Sequence, residues 1–348
     1  MDVKFVWFDS LGAKSSCTLI ETKDVTVVID PGVAIMHPTF PAPTEAKIRW
    51  YKEGFRAVKE AAKKADVVVI THYHYDHFTD FDEEMYRGKL ILVKEPNSYI
   101  NGSQRERSLS FFKELYRMLG ISLEGSLEAP SPCEYRDPLK EIPAALGKDF
   151  GEYNERREEL LRKGMKWFRR RVEEWNKYDK IPELERGETR IMFADGRSFR
   201  FGATKIKFTS PLFHGIEFSR LGWVLGVIVE EGGRKVLYSS DLNGPIIEDY
   251  AYWIIKENPD VLILDGPPTY ILGYTLNLIN FHRALRNAID IMRGTRAKLL
   301  VYDHHLPREP RFRERTEEVW EEANRLGRRL VTVADYMNLT PAVLRYRP

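Results

Sequence analysis

The sequence predicts an α/β domain in which short apolar strands alternate with amphipathic helices, and the residues able to do chemistry gather where strands end. Three observations carry that prediction. VVVI at 67–70 is β-branched or apolar throughout, the pattern of a strand covered on both faces. The helix expected over residues 45–64, just before it, repeats Ile48, Tyr51, Phe55, Val58 and Ala62 at intervals of three and four. The same alternation of strand and helix returns in the C-terminal part, through DVLILD, NLINFHRALRNAIDIMRG and KLLVYD. A chain of 348 residues can hold one large α/β domain with an insertion or two smaller domains.

The elements follow in order. The first thirty residues read as small strands: KFVWF, a bend around SLGAKSS, CTLIET, a turn at KD, and VTVVID. A Pro-rich loop, DPGVAIMHPTFPAPTE, leads into the helix over 45–64, and KLILVKEP is the strand after VVVI. Residues 103–185 change character: helical LSFFKELYRML, Pro-rich EAPSPCEYRDP, then a long helix within GEYNERREELLRKGMKWFRRRVEEW. Leu161, Met165, Phe168, Val172 and Trp175 form one stripe of that helix, an apolar face able to dock it. From Gly187 the β pattern resumes with RIMFADGRSFRF, TKIKFTS and the hairpin LGWVLGVIVE-EGG-RKVLYSSD. Helix RFRERTEEVWEEANRLG and strand LVTVA complete the chain.

Composition narrows the function classes. A hydrophobic fraction of 43% and a charged fraction of 30% fit a soluble protein, and no apolar run approaches the roughly 18 residues of a membrane span. The N-terminal MDVKFVWFDSLG lacks the features of a signal peptide, so a cytoplasmic location is expected. Cys17 and Cys133 are too few for a disulfide framework and have no CxxC spacing. A net charge of +2 gives no broad basic field; a small-molecule substrate is expected and nucleic acid is not favoured. The single glutamine, Gln104, beside heavy use of Lys, Arg and Glu, is the bias of a heat-adapted protein.

The chemistry is concentrated in THYHYDH, directly after VVVI, where His72, His74, Asp76 and His77 fall within six positions of a chain holding only eight histidines. Imidazole and carboxylate are the donors a borderline divalent ion prefers, and a tight loop can aim several of them at one point. His72 and His74 can thus hold one ion while Asp76 and His77 turn toward a second.

THYHYDH resembles the second motif of the metallo-β-lactamase superfamily, and the other motifs occur in order: Asp30 in VVIDPG, His214 in PLFHG, Asp241 in LYSSD and His304 in LLVYDHH. The resemblance covers nearly the whole chain outside 103–185, and LYSSD with YDHH points to an archaeal branch. It implies a four-layer αβ/βα sandwich, a single domain over 1–348. Because 103–185 leaves after the strand that follows THYHYDH and returns before the strand leading to His214, it is expected to form a helical cap over the metal cleft, with a surface elaboration or a dimer contact as the alternative. The resemblance also implies that His72, His74 and His214 bind one metal, that Asp76, His77 and His304 bind the other, and that Asp241 bridges them. Asp30 would accept a hydrogen bond that fixes a ligand imidazole, with Asp303 in a similar role, and His305 is the rival of His304 for the last ligand position. His282, inside a helix, is expected to be structural; His37, after the Asp30 loop, is a candidate for the cleft wall.

The expected cofactors are two divalent ions, zinc first and manganese or iron as alternatives, bridged by a hydroxide that attacks a phosphodiester or a small ester, thioester or lactone. Asp241, where many true β-lactamases have cysteine, favours the phosphodiesterase and thioesterase branches. Asp76, His305 and Tyr75 are the candidates for the general acid. Tyr75 stands where many members have a small residue. The insertion lies between the second and third motifs rather than the fourth and fifth, which argues against the β-CASP nucleases. WFRRR at 167–171 and DGPPTYILGY at 265–274 are candidate substrate contacts. A metal-dependent nuclease and a non-catalytic metal-binding module are the competing readings.

Overall fold

The computed structural model describes residues 1–78 and 81–346. Two seven-stranded sheets form its centre. The first contains β1 (Asp2–Phe8), β2 (Ser16–Glu21), β3 (Thr26–Ile29), β4 (Val67–Ile70), β5 (Leu90–Val93), β6 (Leu184–Arg186) and β7 (Thr189–Phe193), in the order β1-β2-β3-β4-β5-β7-β6. Its first three strands run antiparallel, and β3, β4, β5 and β7 are mutually parallel.

The second sheet starts with β8 (Ser198–Phe201) and β9 (Thr204–Phe208). After a separate two-stranded ribbon, β10 (Leu212–Phe213) and β11 (Trp223–Val224), it continues with β12 (Val227–Glu231), β13 (Arg234–Tyr238), β14 (Val261–Asp265), β15 (Leu299–Asp303) and β16 (Arg329–Val331). It repeats the design of the first: β8, β9, β12 and β13 are antiparallel, and β13 to β16 are parallel.

The sheets face each other through one core. Val67 and Val69 of β4 point into it with Ile20, Val27, Ile206, Val227, Val229 and Val301, while Val68 and Ile70 point the other way into the helix-covered core. VVVI is therefore apolar on both faces for a physical reason: each face of β4 meets a different hydrophobic layer. On the first sheet's outer side lies α1 (Thr44–Lys64), against β1 and β3. The insertion supplies α2 (Gly102–Met118), α3 (Pro143–Leu146) and α4 (Tyr153–Trp175). Beyond the second sheet, α5 (Glu248–Glu257), α6 (Leu278–Gly294), α7 (Phe312–Arg315) and α8 (Glu317–Arg325) form a layer in which α6 contacts α5 and α8. The chain ends with α9 (Val333–Tyr336) and α10 (Ala342–Arg345).

Three expectations are corrected. LVTVA is a strand only to Val331, because the Thr332 hydroxyl accepts from the Asp335 amide and Asp335 reaches back to the Thr332 amide, a capping box that starts α9. RFRERTEEVWEEANRLG is two helices, α7 and α8, divided at Thr316, whose hydroxyl bonds the Phe312 carbonyl. LGWVLG does not begin the hairpin strand; Trp223 and Val224 pair with the ribbon that carries His214.

Residues 103–185 pack beside the strand ends that carry the histidines. α2 begins under an Asn101 cap, and Gln104 Oε1 accepts from the Tyr73 amide at 3.2 Å. α4 lies on the ribbon: Trp167 stacks on Trp223, centroids 5.5 Å apart and planes within 6°, and Gly164 faces Phe218 so closely that a Cβ there would overlap the ring. Gly164, Phe168 and Trp175 are the buried residues of α4, whereas Leu161, Met165 and Val172 from the expected stripe are partly buried. No helix of the described residues is long and apolar enough to cross a membrane.

Candidate metal centre

Every element that brings a donor does so from the end of a strand. His72, His74, Asp76 and His77 follow β4; His214 follows β10; Asp241 follows β13; His304 and His305 follow β15. The backbone turns sharply at these points, and Asp30, Ser240, His304 and His305 all have positive φ, 49°, 57°, 35° and 58°. Such conformations cost free energy and persist only where surrounding contacts enforce them. At His304 and His305 those contacts are carboxylates: Asp303 Oδ1 accepts from the His304 amide at 2.8 Å and Asp9 Oδ2 from the His305 amide at 2.9 Å. In DPG, a Cβ on Gly32 would lie 2.4 Å from the main chain of His77 and Phe78, so only glycine lets the two loops press together.

The donor atoms form two groups that meet at Asp241. In the first, His72 Nε2 lies 3.1 Å from His74 Nδ1, and Asp241 Oδ2 is 3.5 Å from His72 Nε2 and 3.1 Å from His214 Nε2. In the second, Asp241 Oδ1 is 3.2 Å from His77 Nε2 and 3.4 Å from His304 Nε2, the two imidazoles are 3.2 Å apart, and Asp76 Oδ2 is 3.8 Å from His304 Nε2. A tetrahedral ion with bonds near 2.1 Å sets its ligand atoms roughly 3.4 Å apart, so nitrogen and oxygen donors at these separations fit a divalent ion in each group. His72, His214, Asp241 and His304 are buried, and His74 and Asp76 are the least enclosed donors. The opening therefore lies on their side.

The second group is braced by carboxylates. Asp30 takes His77 Nδ1 at 2.7 Å and Tyr238 Oη at 2.8 Å on Oδ2, and the Thr71 amide at 2.7 Å on Oδ1. Asp9 takes His304 Nδ1 at 3.0 Å and the Arg308 guanidinium. The first group is braced by neutral groups: the Thr71 hydroxyl lies 3.2 Å from His72 Nδ1, and the Gln104 amide lies 3.3 Å from His74 Nε2. His214 Nδ1 is buried and has no partner among the described residues.

Charge follows from this arrangement. Burial works against ionisation of Asp241, yet His77, His304, His305 and His72 around it hold its carboxyl well below the usual range. Burial likewise opposes the charge on His77, but Asp241 and Asp30 outweigh it and raise the imidazole to about 10. Burial, then the charge of His77, lowers His72 to about 4.

His305 stands apart from the Asp76–His77 pair. Its Nε2 is 3.6 Å from Asp241 Oδ2, and its Nδ1 is 3.4 Å from Asp265 Oδ2. His304 is thus the histidine that faces Asp76 and His77. Asp303, expected to orient an imidazole, instead accepts main-chain amides from Ser10, His304 and Val333; the imidazole partner is Asp9. Sequence reasoning missed Asp9, Gln104 and Arg308, and had Asp265 only as the first residue of a candidate substrate loop. The available signal was position: Asp9 and Asp265 stand where β1 and β14 end, as Asp30 stands after β3. His282 is exposed on α6, outside both groups. Tyr75 is 50% exposed, 5.4 Å from Phe78, with the Arg107 guanidinium 4.9 Å from its ring centre. In WFRRR, Arg169 and Arg170 are exposed, and Arg171 pairs with Glu174.

Two facing αβ sheets with histidines and aspartates clustered at their strand ends define a class, and a family model reaches the same answer independently. The chain belongs to the metallo-beta-lactamase superfamily, whose model matches residues 12–305. Within it, the chain is 32% identical to "UPF0282 protein MK0213" of Methanopyrus kandleri, covering 92% of this chain and 89% of the relative. It is 30% identical to "UPF0282 protein MJ1629" of Methanocaldococcus jannaschii, covering 88% and 85%. Both relatives are archaeal, as the LYSSD and YDHH pattern led us to expect. A solved metallo-beta-lactamase fold protein, YhfI from Bacillus subtilis, aligns over 91% of this chain and 88% of its own at 14% identity and a TM-score of 0.41.

Proposed function

We propose that the protein is a dinuclear metal-dependent hydrolase acting on a phosphodiester or on a small ester, thioester or lactone. The observation that carries this reading is the division of Asp241, with Oδ2 facing His72 and His214 and Oδ1 facing His77 and His304. One carboxylate shared in this way would hold an ion in each group. Zinc suits these nitrogen and oxygen donors, with manganese and iron as the other occupants to test. Bound there, the ions supply a nucleophile from water near neutral pH and polarise the oxygen of the bond under attack.

The chain's own residues do the positioning. Asp30 and Asp9 fix the rings of His77 and His304 through Nδ1, so that each Nε2 points inward. Asp265 accepts the Leu242 and Asn243 amides at 3.1 and 2.6 Å, which holds the loop bearing Asp241, and it also faces His305 Nδ1. His305 Nε2 is thereby presented beside Asp241, placed to hydrogen-bond a substrate oxygen. Substrate enters past His74 and Asp76, between the α2 flank and the loops after β3 and β14, and residues 103–185 set how large it can be.

The test is elemental analysis after reconstitution with zinc or manganese, followed by a panel of phosphodiester, thioester and lactone substrates. About two ions per chain and turnover of one class are expected. A reproducible stoichiometry of zero overturns the reading; two ions without turnover of any class favours a metal-binding module.

A further inference from the structure

Beside the second donor group four loops from four different strand ends converge. Lys14 lies in the bend after β1, tied to Ala34 by paired main-chain hydrogen bonds of 2.8 and 2.9 Å. His37 lies in the loop after β3 and stacks on Tyr270, with centroids 5.0 Å apart and planes within 20°. Tyr270 belongs to the single-turn helix Thr269–Ile271 after β14, and Arg308 to Leu306–Arg308 after β15. The Arg308 guanidinium joins this set to the metal centre, lying 3.3 Å from Tyr270 Oη and 3.4 Å from Asp76 Oδ2 while it pairs with Asp9.

The set has more positive charge and more free donors than its own partners use. Asp9 is engaged by Arg308 and His304, and Asp76 by Arg308 and the second donor group. Lys14 is partly buried and has no ion pair or side-chain hydrogen bond among the described residues. Lys47 Nζ is occupied by the carbonyls of His37 and Pro38. Thr39 Oγ1 lies 2.7 Å from His37 Nδ1, while His37 Nε2 is buried without a partner. A buried polar nitrogen left unpaired in a native fold asks for an explanation, and a ligand is one. Burial, followed by the charges of Arg308, Lys14 and Lys47, holds His37 at about 4, so the ring is neutral at pH 7. Where the Thr39 hydroxyl donates to Nδ1, the ring's proton sits on Nε2. Tyr270 Oη accepts from Arg308, which leaves its own proton free to donate.

We propose that Lys14, His37 and Tyr270 form an anion pocket beside Asp76 that takes a phosphate group of a small-molecule substrate. This names the substrate class of the hydrolase proposed above and rests on that reading. Three donors of different geometry, an ammonium, an imidazole N–H and a phenol O–H, come from three separate loops. They suit the spread oxygens of a tetrahedral anion better than the two coplanar oxygens of a carboxylate, which pair best with a planar guanidinium.

The test is calorimetric binding of inorganic phosphate to the metal-loaded full chain. Lys14→Gln is expected to weaken phosphate binding by about tenfold or more, and Lys14→Arg by no more than about threefold, with metal content unchanged in both. His37→Gln gives a smaller loss. Equal affinity in wild type and Lys14→Gln, or no phosphate binding by wild type holding its ions, overturns the pocket. Wild-type protein that takes up no metal yet binds phosphate in a Lys14-dependent way overturns the hydrolase reading and leaves the pocket standing. A short single-stranded oligonucleotide is the second probe: Lys14-dependent binding of it without binding of phosphate overturns the small-molecule assignment.

Discussion

The two donor groups share Asp241 but differ in what stands behind their imidazoles. In the second group, His77 and His304 each present Nδ1 to a buried carboxylate, Asp30 at 2.7 Å and Asp9 at 3.0 Å. In the first, the outer nitrogens meet the Thr71 hydroxyl, the Gln104 amide, or, at His214, nothing among the described residues. A carboxylate behind an imidazole fixes its tautomer and raises its basicity, so donors of the same type make a stronger site when so braced. The second group also has Asp76 to itself. Two donor groups joined by one shared carboxylate thus need not be equal: on the dinuclear reading, the second would retain an ion more firmly than the first.

The largest expected effect tests whether the bridge is shared. Asp241→Ala should cost both ions and lower activity on the order of a thousandfold or more; elemental analysis that still finds one ion would show that the second group closes without it. His74→Ala, confined to the first group, should abolish hydrolysis yet keep the second ion and the fold, whereas His282→Ala should keep full activity. Asp30→Asn should weaken binding of the second ion about 10- to 100-fold and of the first by less, since Asp30 reaches His72 only through the Thr71 hydroxyl, read by competition with a chelator. Equal loss from both groups would show that the carboxylates behind the second group's imidazoles give it no advantage. Gln104→Ala, acting on the first group through a neutral contact, should change its affinity by less than about tenfold.

The smallest effect concerns His37, which binds fewer protons folded than unfolded because its folded value is about 4 against 6.5. Its contribution to stability is complete above pH 6.5 and drains away as the pH falls toward 4. In His37→Gln, the plot of urea midpoint against pH should be flatter across that interval; an unchanged slope would mean the ring is not held neutral.

Local pattern explains what could be read in advance. VVVI and LLVYD advertise buried strands, and a histidine cluster placed where such a strand ends has nowhere to fold but the loop mouth. The bracing residues were harder because their partners are far off in the chain. Asp9 sits in a bend that reads as an ordinary turn, and its imidazole partner is 295 positions away. Asp303 misled through adjacency: it precedes His304, yet its carboxylate serves main-chain amides of three segments. Arg308 carries no pattern of its own in HHLPREP, yet it is buried between Asp9, Asp76 and Tyr270. Thr332 shows the same limit for secondary structure, since its β-branched side chain fits a strand and its hydroxyl, given Asp335, starts a helix.

The bond between Asp9 and His304 has a further consequence, for the order in which the molecule is assembled. A growing chain has His72, His74, Asp76 and His77 in hand long before the strand that delivers His304, and long-range closure of this kind comes late in folding. Until then the early histidines are unbraced ligands on an incomplete half-molecule, able to meet whichever metal is at hand but not to hold it in the final geometry. An ion in the second group would therefore be captured by the same event that brings the first strand's end against the last parallel strands. Its uptake, followed by a spectroscopic substitute such as cobalt, would report the moment the two halves close.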